Sequence, residues 1–268
     1  MSNKSIFVIL KGMAVGGTML VPGVSGGSMA MILGIYDRLV SSVSSFMKHR
    51  RESLIFLGQF CLGGGLGMIL FARPLLGLIE RFPMPMMYFF LGAVAGGVPM
   101  ILREADVKKF SWKIPVYILA GLLAVMAVGL IPEGTFQSEM SGGLSSVLLL
   151  LAAGAAAAVA LVLPGISVSY LFLVMGIYDE LMRAIGSLYL PFLVPLGAGI
   201  LLGVILTTKV LEEAMVRHPQ PTYLIILGFV FGSMAEVFPG IPQGGELFVS
   251  LAALAAGFGA IFFLSGKE

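Results

Sequence analysis

Apolar and polar positions fall in long blocks along this chain. Apolar runs occupy about 5–21, 24–36, 53–79, 85–102, 114–131, 145–163, 166–178, 188–206, 222–235 and 247–264. A helix needs roughly 20 such residues to cross a bilayer, within a range of about 17–25. Two runs, 24–36 and 166–178, are too short for a comfortable span. Each is cut from the run before it by a Pro-Gly pair, Pro22-Gly23 and Pro164-Gly165. The pattern predicts an all-α integral membrane protein. In it, each broken pair forms a re-entrant helical hairpin that runs in to mid-depth, turns, and leaves by the same side.

Composition strengthens the membrane reading. Of 268 residues, 58% are hydrophobic and 11% charged, and the mean hydropathy is +1.03. A soluble domain is about a quarter charged, and no single soluble core of this length could hide so much apolar surface. A net charge of +2 is too small to point to a nucleic-acid partner. The lone Cys61 excludes an intramolecular disulfide and a cysteine metal cluster. No cleavable signal peptide is expected, because the first apolar run lacks a suitably placed small-residue cleavage site. His49 and His218 fall in basic loops, and no Ser-His-Asp set, metal-ligand spacing or redox motif is present. Nothing here makes a case for an enzyme, a metal or a cofactor.

The chain also repeats itself. From Pro22 to Asp37, "PGVSGGSMAMILGIYD" matches "PGISVSYLFLVMGIYD", from Pro164 to Asp179, at seven of sixteen positions. Further on, "RFPMPMMYFFLGAVAGG" from Arg81 resembles "RHPQPTYLIILGFVFGS" from Arg217, at an offset of 136. That offset also aligns Arg73 with Lys209 and Gly67 with Gly203. One membrane domain made of two halves, 1–141 and 142–268, follows. Two-fold repeats of this kind mark transporters.

Basic residues concentrate in cytoplasmic loops. With one hairpin and about three transmembrane helices per half, 13 basic residues share one side: Lys4, Lys11, Arg38, Lys48, Arg50, Arg51, Arg103, Lys108, Lys109, Lys113, Lys209, Arg217 and Lys267. Only Arg73, Arg81 and Arg183 take the other. An odd number of spans inverts the second half, so the two hairpins enter from opposite faces and both termini are cytoplasmic. Gly-rich "GQFCLGGGLG" from Gly58 and "GAGILLG" from Gly197 suit close helix packing. They do not make a phosphate loop, since no Gly-Lys-Ser/Thr follows.

Non-helical backbone at membrane depth is tolerated only where protein buries it or a wet cavity receives it. After each Pro-Gly a new helix should start, near Ser25 and near Ser167. A helix N-terminus offers free N–H groups and a partial positive charge, which suits an anion. Gly23, Gly26, Gly27 and Gly165 would let backbone approach such a ligand, and Ser25, Ser28, Ser167 and Ser169 would add hydroxyl donors. The plainer alternative is that Pro-Gly-Ser ends one packed helix and caps the next. Arg73 and Lys209 are candidate cationic contacts or gates; snorkelling to the head groups would explain them equally. Asp37 and Asp179 close the repeated Gly-Ile-Tyr-Asp, either as helix-end turns beside interfacial tyrosines or as coupling sites. Glu80, Glu104 and Glu236 are further acidic candidates.

The paired motifs, "PGVSGGSMAMILGIYD" and "PGISVSYLFLVMGIYD", resemble the PopT-type polyprenyl-phosphate transporters, a bacterial and archaeal family formerly known only as a domain of unknown function. The resemblance covers nearly the whole chain. It implies a protein of the cytoplasmic membrane that flips undecaprenyl phosphate from outer to inner leaflet and so recycles the lipid carrier for peptidoglycan and other envelope polymers. The implied partners are this anionic polyprenyl lipid and membrane lipids. The sequence departs from its own first motif where Gly26 and Gly27 become Val168 and Ser169. A small-anion transporter or channel would use the same helix-terminus chemistry. Moving a phosphate inward works against an inside-negative potential, so H⁺ or Na⁺ is the expected coupling ion.

Overall fold

The structure, a computed structural model, describes residues 3–19, 25–107, 111–133 and 143–265. The first six helices are α1 (Asn3–Thr18), α2 (Gly26–Ile32), α3 (Tyr36–Ser44), α4 (Arg50–Arg81), α5 (Pro83–Glu104) and α6 (Lys113–Gly129). The next six are α7 (Leu144–Val162), α8 (Val168–Val174), α9 (Tyr178–Ser187), α10 (Leu190–Arg217), α11 (Pro219–Val237) and α12 (Glu246–Ser265). The described residues contain no strand. By length and composition α4, α5, α7, α10 and α12 can cross a membrane, and α1 and α6 are shorter apolar helices. The chain is a multi-pass membrane protein.

The arms of the expected hairpins are unequal. At 1.5 Å per residue, the 19 residues of α7 extend about 28 Å, close to the roughly 30 Å hydrocarbon core. The partner arm α8 has only 7 residues. Apolar character continues to Tyr36 and Tyr178, but the second arms stop earlier, at Ile32 and Val174. Gly34 (φ 64°) and Gly176 (φ 68°) take the left-handed conformation that ends each arm. The matching bonds are Ile35 N to Ala30 O at 3.0 Å and Ile177 N to Phe172 O at 3.1 Å. Beyond these turns α3 and α9 begin, two helices that a scan for apolar runs passes over. Each mixes polar and apolar residues and buries one face, through Tyr36 and Val40 in α3 and Leu181 and Ala184 in α9.

Four helix pairs carry most of the packing: α1 on α4, α7 on α10, α5 on α12 and α6 on α11. The sixth helix of each set therefore packs on the fifth helix of the other. Glycines make these contacts close. A Cβ at Gly63 would overlap the carbonyl oxygen of Ile9, one at Gly199 that of Leu151, and one at Gly228 that of Ile118. With lipid on both sides, close backbone approach and dispersion replace the hydrophobic drive that water would supply. Helices α5 and α11 also pack on each other. Around them lies the core, with Ile32, Ile101, Leu224, Ile226, Leu227 and Val230 all buried.

Candidate functional site

The first turn of α2 meets the second Pro-Gly turn. A Cβ on Gly27, in the first turn of α2, would lie 3.4 Å from Pro164 Cα of the second motif. The second tip and the far end of α2 are also fixed to the central pair. Gly165 adopts φ +87°, and a Cβ there would overlap the carbonyl oxygen of Phe229 in α11. On the other side, Gly97 of α5 leaves room for Ile32 of α2, whose Cγ1 would lie 2.5 Å from an added Cβ. Gly23 and Pro22 lie outside the described residues.

Ser25 is the N-cap of α2, in extended conformation, and its side chain makes no capping bond. Ser167 caps α8, its hydroxyl accepting from Tyr170 N at 3.3 Å. Both helices thus start where the serines predict. The first four N–H groups of each helix have no intrahelical acceptor. Ser25 and Ser28 border a small cavity of about 10 Å³ with Phe90, Leu91, Val94 and Ser233, room for about one water. Ser28 is 1% exposed, and its Oγ has no hydrogen-bond partner among the described residues. Gly26 faces the flexible end of Met19.

The two tips differ in setting. Residues Ser28 to Ile32 of α2 are all buried. In α8 only Phe172 and Val174 are buried, while Ser167 and Ser169 are exposed. The helices beyond the tips differ in the same sense. α3 packs on α10, and no comparable packing joins α9 to α4 among the described residues. Polar bonds close the α3 side. Tyr223 Oη donates to Asp37 Oδ2 at 2.6 Å, and Tyr36 Oη donates to the Val162 carbonyl at 2.6 Å. Ser44 Oγ donates to Glu212 Oε2.

Of the remaining candidates, Asp37 and Asp179 open α3 and α9 and do not close the helices before them. Carboxylates suit the first turn, where the helix dipole is positive. Asp179 is exposed, and its backbone oxygen accepts from Arg183 Nε at 3.3 Å. Arg73 is exposed on α4 beside Pro74. Lys209 is exposed on α10 and borders a separate groove with the α3–α4 turn, away from the residues that line the tip cavity. Glu104 ends α5. Two features escaped the sequence reading. Ser233 joins Ser25 and Ser28 at the cavity, and Tyr223 holds Asp37. Neither stands out in the sequence, because a serine and a tyrosine within apolar runs look like any others.

Span-length apolar helices around α2 and the α7–α8 break it meets define a multi-pass membrane protein. More narrowly, the chain belongs to the undecaprenyl phosphate translocase-like family, whose model matches residues 15–244. A polyprenyl-phosphate transporter of Staphylococcus aureus is 36% identical over 93% of this chain and 92% of its own length. One of Vibrio cholerae is 29% identical over 86% of this chain and 76% of its own length. No solved structure matches. The family is one of transporters, and the chain is a transporter and not an enzyme.

Proposed function

We propose that this protein moves undecaprenyl phosphate from the outer to the inner leaflet of the cytoplasmic membrane, with the head group held between the first turns of α2 and α8. The observation that carries this reading is the approach of Gly27 to Pro164, beside a buried Ser28 hydroxyl that has no partner among the described residues. A buried hydroxyl without a partner costs about 1–3 kcal/mol, and a transient phosphate oxygen is an acceptor that would remove the penalty. Because α2 and α8 have 7 residues each, the attraction comes from first-turn N–H groups and hydroxyls more than from a long-helix dipole.

In this reading the halves 1–141 and 142–268 are inverted, the two hairpins are re-entrant, and both termini are cytoplasmic. The α3–α10 contact then lies on the cytoplasmic side and is closed, while the exposed Ser167 and Ser169 face the outer side. The arrangement suits acceptance of lipid from the outer leaflet. Release would break the α3 contacts and bring α9 onto α4. Each negative charge moved inward works against about 2.3 kcal/mol per 100 mV, so H⁺ or Na⁺ accompanies the phosphate, or Arg73 or Lys209 moves with it. Asp37 and Asp179 are the carboxylates offered for the cation.

Proteoliposomes test this directly. Inward flipping of undecaprenyl phosphate should exceed that of its pyrophosphate and should respond to an H⁺ or Na⁺ gradient. If an inside-negative potential opposes accumulation as it would for a bare anion, and neither cation matters, coupling is absent and the protein is a passive scramblase. Chloride that binds as well as the lipid would favour a small-anion transporter instead. Topology has its own check, in a background lacking Cys61. Cysteines at Glu133 and Gln243 should label from outside and one at Lys108 should not; external labelling at Lys108 removes the inversion.

A further inference from the structure

A groove of about 930 Å³ runs between the α3–α4 turn and α10, within the size range of small-molecule sites. Its wall is apolar, formed by Leu57, Leu201, Val204 and Ile205. Leu201 and Ile205 are exposed, so the wall opens toward lipid rather than into the protein. The lining also carries the charged residues Lys48, Lys209, Glu212, Glu213 and Arg217, the last four of which follow the apolar stretch along α10.

The charges of this lining do not cancel. Arg217 is paired with Glu213 at 2.9 Å. Glu212 accepts from the hydroxyls of Ser44 and Ser45. Lys48 and Lys209 have no ion pair among the described residues. Two unpaired ammonium groups in the lining of an apolar, lipid-open groove match an amphiphile with an anionic head and a hydrocarbon chain. Basic pockets between transmembrane helices on the cytoplasmic side recognise lipid head groups in this way. The groove also follows the first tip in the chain, separated from α2 only by α3.

We infer that this groove is a second lipid site. It takes the phosphate of the polyprenyl chain at Lys48 and Lys209 and the first isoprene units along Leu57, Leu201, Val204 and Ile205. The inference rests on the reading of the substrate given above and adds a place for that substrate outside the tips. The site holds the lipid on the α3–α10 side, where a head group released from the tips would be retained before it diffuses into the leaflet. Lys209 thereby meets the lipid at the groove, apart from the residues that line the tip cavity.

A polyprenyl phosphate that carries a diazirine on its first isoprene unit tests the site, with the full chain in nanodiscs. Mass spectrometry should find adducts on residues 201–216 and 43–48. Lys48→Gln and Lys209→Gln should each lower labelling about fivefold, the equivalent of about 1 kcal/mol per basic residue near a lipid surface. The matching diazirine polyprenol, which lacks the phosphate, should label weakly, and phosphatidylglycerol at equal mole fraction should not compete. Equal labelling by the polyprenol, full competition by phosphatidylglycerol, or indifference to the double lysine variant would overturn the site. Flipping that persists with an unlabelled groove overturns this site alone. Labelling without any flipping keeps the site and sinks the translocase reading.

Discussion

The tips around Ser25 and Ser167 belong to motifs that match at seven of sixteen positions and sit in different surroundings. In the first, α2 is enclosed by α1, α5 and α7, Ser28 is buried, and the following helix is tied down by Tyr223, Val162 and Glu212. In the second, α8 leaves Ser167 and Ser169 exposed, and among the described residues α9 makes no packing on α4 comparable to that of α3 on α10. The Pro-Gly-Ser motif therefore sets where a helix breaks and restarts, while the neighbours decide whether the break is sealed. Bonding also differs at matched positions. Ser28 has no partner among the described residues, but its counterpart Tyr170 reaches 2.6 Å from Ile131 O and 3.0 Å from Gly129 O, closing the end of α6.

Four substitutions probe this difference, beginning with the largest expected effect, and Gly26→Ala serves as the control for the first. Gly165→Ala combines a positive φ, which costs a non-glycine residue about 1–2 kcal/mol, with overlap onto rigid backbone at Phe229. It should abolish flipping and lower the melting temperature sharply in detergent. Gly26→Ala, which meets only the end of Met19, should leave the melting temperature close to that of the parent. Equal tolerance at both glycines would mean that the second tip is not held against α11.

Next in size is Tyr223→Phe, which removes the bond to the Asp37 carboxylate. Hydrogen bonds to charged groups contribute about 1.5–3 kcal/mol, so the closed α3 side should loosen. A cysteine placed at Ser44 should then react faster with a soluble maleimide, and unchanged reactivity would separate this bond from closure. Ser28→Ala removes a buried hydroxyl that has no partner. Stability should hold or rise, by at most about 1–3 kcal/mol, while flipping falls; a variant with full transport would detach Ser28 from the head group. The smallest effect is expected at the open tip. Ser167→Ala loses a cap worth about 1 kcal/mol, which should appear as a small drop in melting temperature.

Helices and membrane character were legible in the sequence because both are local. A run of apolar residues must leave water wherever it lies, and Pro-Gly followed by serine must break a helix and restart it. The repeat was legible too, and offset 136 recurs in the glycine pairs Gly63/Gly199 and Gly92/Gly228 that bring backbones together. Two elements, α3 and α9, were not legible as apolar runs, since only one face of each is buried. What the tertiary structure alone decided is which groups meet. Nothing in the order of residues places Gly27 against Pro164, Tyr223 against Asp37, or Lys209 at a groove with Lys48. Those pairs are 137, 186 and 161 positions apart, and they depend on how α5 and α11 pack and on α3 lying against α10. Related motifs receive different burial for the same reason: burial depends on the surrounding helices, which the motif does not encode.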